Sequence, residues 1–206
     1  MSPRTPLLDP EGYFTDRPDP FLIGAGVLAL HVIVDLALVS LLIDFMLSEI
    51  DGITAAERSQ VRSELNRILF LAIIVYLIAW LVVAAVMHFG VGGSSAEGTY
   101  GDALGVAGWA YAPEVLAAVP TYLYARQVIG DLSLDASEPG ALEAEAEALA
   151  AGATSGPLVV LLLVVTVWSV YILAKGVSET HNVALGRAML PAVVVGVGSI
   201  LLTLAG

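Results

Sequence analysis

Hydrophobic residues run in five long blocks along this chain, at about residues 21–47, 68–89, 104–128, 157–174 and 188–205, with short polar segments between them. No block alternates with period two, and none carries the one-sided stripe of a soluble helix. A helix rises about 1.5 Å per residue and the hydrocarbon core is about 30 Å thick, so about 20 apolar residues span it. The pattern predicts an all-α fold: a polytopic membrane helical bundle of five transmembrane helices, multi-pass in the cell membrane. Residues 1–20 form an extended N-terminal arm and 21–206 form the transmembrane domain.

Local signals refine these elements. Five prolines in the first 20 residues favour an extended or turn-like arm, whose Leu7, Leu8, Tyr13 and Phe14 can dip into the membrane interface. Thr54 and Glu57 form a capping-box pattern, so a helix is expected to start there and run straight into the second span. Four glycines and two serines over 90–98 predict a flexible loop. The third block holds Gly105, Gly108, Pro113, Glu114 and Pro120, and is expected to be kinked or broken. Gly196 and Gly198 in the last span allow close helix approach. The segment 141–152, with Glu143, Glu145 and Glu147, reads as a short solvated acidic helix closed by Gly152.

Composition narrows the function classes. The chain is 58% hydrophobic, with a mean hydropathy of +0.87. It has no cysteine, which excludes disulfides and thiolate chemistry. Twenty acidic residues face eight basic ones, of which Lys175 alone is a lysine. That balance points to a salt-loving host of archaeal type and excludes nucleic acid as a partner. Orientation is undecided by charge. One side would carry Arg4, Arg17, Lys175 and Arg187, the other Arg58, Arg62, Arg67 and Arg126.

Polar residues inside a span are costly and mark candidate sites. His31 and Asp35 lie four apart on the first span, share a face, and can hydrogen-bond; Asp44 lies near the water boundary. With Glu114 they form a candidate intramembrane polar site. Two readings stand beside each other: a proton or cation relay, and a buried polar contact between helices. The structural one is preferred, because a relay needs acceptors through several spans and Glu114 is the one obvious addition. Trp80, Trp109, Trp168, Tyr122 and Tyr171 read as packing or interfacial-belt residues. Lys175 and Arg187 read as snorkelling side chains. His31, His88 and His181 lie on different segments without ligand spacing, and the acidic run lacks a calcium-loop pattern, so no metal and no cofactor are expected. There is no GxSxG and no HExxH, and GTYGD at 98–102 matches an intramembrane aspartyl-protease GxGD only loosely. No catalytic activity is expected.

An ordered set of features resembles the Yip-domain family, five-span membrane proteins named for interaction with Rab-type GTPases. It comprises LLDPEGYF at 7–14, the weakly hydrophobic TYGDALGVAGWAYAPEVLAAVP at 99–120, and a Trp-containing fourth span that ends in a Gly176-x-x-x-x-His181 hairpin. The resemblance implies five spans, a cytoplasmic N-terminus and a role as a scaffold or partner-binding protein. The chain lacks the Asp-Leu-aromatic-Gly-Pro motif of the family's eukaryotic cytosolic arm, so GTPase binding does not carry over. The expected partners are other membrane proteins or a second copy of the chain, within the lipid bilayer. Gly105, Gly108, Pro113, Gly196 and Gly198 are the expected helix-contact positions. A small ion or solute transporter using His31, Asp35 and Glu114 is the alternative.

Overall fold

The computed structural model describes residues 5–15, 19–50, 53–131 and 156–205, which are almost wholly helical. The acidic segment with Glu143, Glu145 and Glu147 lies outside the described residues. Helix α1 spans Pro10–Thr15, α2 Phe21–Glu49, α3 Ala55–Gly90, α4 Tyr100–Trp109, α5 Ala112–Gly130, α6 Gly156–Thr180 and α7 Leu185–Ala205. Helices α2, α3, α6 and α7 are long and apolar enough to cross a bilayer. Their outward positions are hydrophobic, as at Ile33, Val75, Val167 and Leu190, so lipid rather than water suits this surface.

The element boundaries follow from local chemistry. Thr54 and Glu57 close the expected capping box on α3: the Thr54 amide donates to Glu57 Oε2 at 2.8 Å, and the Glu57 amide donates to Thr54 Oγ1 at 3.3 Å. Helix α4 opens with the same device, built from Thr99 and Asp102. The GTYGD run is therefore a helix start. The third hydrophobic block is broken, as its prolines and glycines predicted. Helix α4 stops at Trp109, and Pro113 stands in the first turn of α5, where its missing N–H leaves no bond unmade. The carbonyl of Ala110 at the break accepts a hydrogen bond from Ser169 Oγ at 2.7 Å.

One expectation is sharpened and one is corrected. The glycine- and serine-rich stretch expected as a loop at 90–98 carries a defined turn. Val91 and Gly93 are buried, a 3-10 turn spans Gly93–Ser95, and Gly92 and Gly93 adopt φ of 119° and 52°, which other residues resist. The arm is not extended along 10–15. It forms α1, and Tyr13 and Phe14 are buried in the core rather than dipped into the interface. The aromatic rings supply enough apolar area to hold a helix too short to persist alone. Trp168 Nε1 donates to the Leu7 carbonyl at 2.8 Å, and Lys175 Nζ donates to Glu11 Oε2 at 2.6 Å.

The bundle has two unlike ends. At the arm end lie α1, the 91–99 turn, the start of α2 and the α6–α7 hairpin. At the stalk end lie the α2–α3 connection, the end of α5 and the start of α6. Helices α4 and α5 run in series along α2: Gly105 and Gly108 meet Pro20 and Gly24, and Arg126 sits over the Phe45 ring.

Candidate functional site

The apolar environment of α2 leaves its polar side chains one option, which is to turn inward and find partners. His31 turns inward at 5% exposure and is stacked on Tyr111, with ring centroids 5.0 Å apart; the Tyr76 ring meets it edge-on at 5.2 Å. His31 Nε2 lies 3.3 Å from Glu114 Oε2. One turn along α2, Asp35 Oδ2 accepts a hydrogen bond from the Tyr76 hydroxyl at 2.6 Å. His31 and Asp35 therefore face different helices: His31 stands beside Glu114 of α5, and Asp35 is bonded to Tyr76 of α3. Asp44 pairs with Arg62 across the α2–α3 connection at 2.9 Å.

The break between α4 and α5 positions this site. It brings Tyr111 and Glu114 to His31 on one side and to a cavity on the other. The cavity holds about 90 Å³, is partly open, and has Glu114, Tyr111, Thr166, Ser169 and Ser199 among its lining. The Glu114 side chain keeps 39% of its surface accessible. His31 and Asp35 do not line the cavity. Sequence reasoning missed Tyr76, Tyr111 and Ser169. Tyr111 carried a signal, since it immediately precedes the Ala-Pro-Glu break; Tyr76 sits as a lone hydroxyl in an apolar run.

Of the helix-contact positions, most are spent inside the chain. A Cβ at Gly105 would lie 2.6 Å from the Pro20 carbonyl carbon, and one at Gly108 would collide with the Gly24 carbonyl. A Cβ at Gly196 would meet Val170, and Pro113 is fully buried. Gly198 has open space around it. Gly105 and Gly108 are therefore sites of backbone approach between α2 and α4.

A second polar cluster lies at the arm end. His88 Nδ1 and His181 Nε2 share a hydrogen bond at 3.0 Å, and His181 Nδ1 lies 3.0 Å from Thr180 Oγ1. The α6–α7 turn and the end of α3 bring together two histidines 93 positions apart. Burial, then the neighbouring His88, hold His181 below its ordinary value, against a smaller opposing pull from Asp102. Among the described residues no group of three or more His, Cys, Asp or Glu side chains could hold a metal ion.

The model of the Yip1 domain matches residues 7–205. The chain belongs to the Yip1-domain family. The match takes in the arm from Leu7 to the end of α7, so in this Yip1 protein the arm and the bundle are one unit, as their shared core requires. No curated protein and no solved structure shows significant similarity to the chain. Family and helices together make it an integral membrane protein with no indicated catalytic function.

Proposed function

We propose that this Yip1-domain protein is a non-catalytic scaffold of the cell membrane, and that it captures another membrane protein at its stalk end. The observation that carries this reading is the length of α3. Its 36 residues extend over about 54 Å, against a hydrocarbon core of about 30 Å. The surplus is charged, with Glu57, Arg58, Arg62, Glu64 and Arg67 exposed, and stands beyond the apolar belt as a stalk. Between it and the end of α2 runs a groove of about 400 Å³. Ile43, Met46, Val61, Leu65 and Ile68 line its apolar part, and Glu57 and Glu64 edge it. Such a groove suits an amphipathic helix whose apolar ridge is flanked by Arg or Lys. A second copy of this stalk would bring glutamate to glutamate, which disfavours self-association there. High salt, which the acidic composition points to, screens the rim and leaves the apolar floor as the main attraction.

A photo-crosslinker placed at Gln60, in the groove wall, tests the reading in native membranes at native salt. One recurrent, stoichiometric partner other than the chain itself is expected. Leu65→Glu is expected to cut its yield roughly tenfold, a loss of about 1.4 kcal/mol. Adducts with the chain alone, or none, overturn the proposal.

A further inference from the structure

The groove at the stalk end makes no use of the polar site inside the bundle, and that site has features a mere structural contact does not need. An isolated carboxylate at this depth is expensive. Helix packing usually answers by bonding every polar atom. Here the answer is incomplete. His31 Nε2 is buried, stands 3.3 Å from Glu114 Oε2, and lies off the line of a hydrogen bond, so it makes none. Glu114 meanwhile faces a cavity whose 90 Å³ has room for about three waters. Thr166, Ser169 and Ser199 add hydroxyls to a lining that is otherwise mostly apolar. It is far smaller than the roughly 300–1,000 Å³ of a site for an organic ligand.

We propose that His31 and Glu114 hold one proton between them and exchange it with water in this cavity, so that the Yip1 bundle contains an intramembrane proton-binding site. The proton sits either on Glu114 Oε2 beside a neutral imidazole, or on His31 Nε2 beside a carboxylate. In both forms the pair carries no net charge. Release passes the proton from Glu114 to a cavity water as hydronium and leaves the pair with one negative charge; uptake reverses the step. From α2, Asp35 is the other carboxyl group of this cluster, and its oxygen is held by Tyr76 of α3. From α5, Tyr111 stacks on the His31 ring. The cavity lining from α4, α6 and α7 includes no ionisable group. A bound metal cation fits less well, because Glu114 is the one carboxylate in the lining.

Dicyclohexylcarbodiimide tests this. It is apolar, enters membranes, and adds to protonated carboxyl groups. The full-length protein in lipid vesicles is treated across a pH series, and labelled sites are located by mass spectrometry with exposed Glu64 as reference. Glu114 is expected to be labelled, at a rate that falls roughly tenfold per pH unit once the pair loses its proton. His31→Gln is expected to displace that fall by about one pH unit, because the proton then has one owner. No labelling of Glu114, or a rate that does not change with pH, overturns the proposal on the wild-type protein alone. An unchanged profile in a folded His31→Gln variant overturns the sharing of the proton.

Discussion

The two ends of this bundle are built on opposite principles. At the arm end, backbone meets backbone. Gly24, Gly105 and Gly108 bring α2 and α4 into contact, Gly176 admits Phe14 and Val106, and Met87, Val91, Val177 and His181 are fully buried. At the stalk end, Phe70, Leu71, Ile74 and Val75 of α3 point outward, and contact with α2 is made by an exposed ion pair and an open groove. Both ends belong to the same helices, so helix formation is not what separates them. The difference is which residues can approach. Small side chains permit close dispersion contact and short hydrogen bonds in a solvent where apolar burial adds little. Large aliphatic ones are as content against lipid as against protein. The closely packed end is then the source of fold stability, and the loose end is free to engage something else.

The comparison is broken most severely by filling a glycine crossing. Gly108→Leu would drive its side chain into the Gly24 backbone, and a loss of about 3 kcal/mol or more is expected, seen as aggregation or a large drop in unfolding temperature in detergent. His181→Ala comes next. It leaves a void and strips His88 of its partner, for a loss of about 2 kcal/mol by the same measurement. This position also sets a pH dependence. A base held below its ordinary value stays neutral in the fold while the unfolded chain takes up a proton, so the unfolded form gains as pH falls. Wild-type stability is expected to be level above about pH 6.5 and to decline below it, and His181→Ala to reduce that decline. If the decline is the same in the variant, another group governs it. The smallest effect belongs to the loose end: Arg62→Ala removes an exposed pair with Asp44, and a change of about 0.5 kcal/mol or less is expected, vanishing in high salt.

Much of this architecture was legible in the residues. Four of the five blocks marked helices long enough to cross a membrane, Thr54 and Glu57 marked the start of α3, and Pro113 among glycines marked the break. What could be read from spacing failed wherever the answer lay across helices. His31 and Asp35 share a face by spacing, yet His31 stands beside Glu114 of α5 and Asp35 accepts a hydrogen bond from Tyr76 of α3. His88 and His181 had no ligand spacing and still meet. The 91–99 segment carried the composition of a loose loop, and it holds a 3-10 turn with Val91, Gly93 and Gly98 buried and Ser94, Ser95 and Glu97 exposed.

The sequence by itself determined that this is an all-helical membrane protein of the Yip1-domain family, because hydrophobic length and capping are local and a bilayer imposes them directly. The tertiary structure alone decided which helix each polar group and each glycine faces. In lipid no general force sorts apolar faces inward. Close backbone approach and hydrogen bonding settle the packing, and both depend on partners far away in the chain.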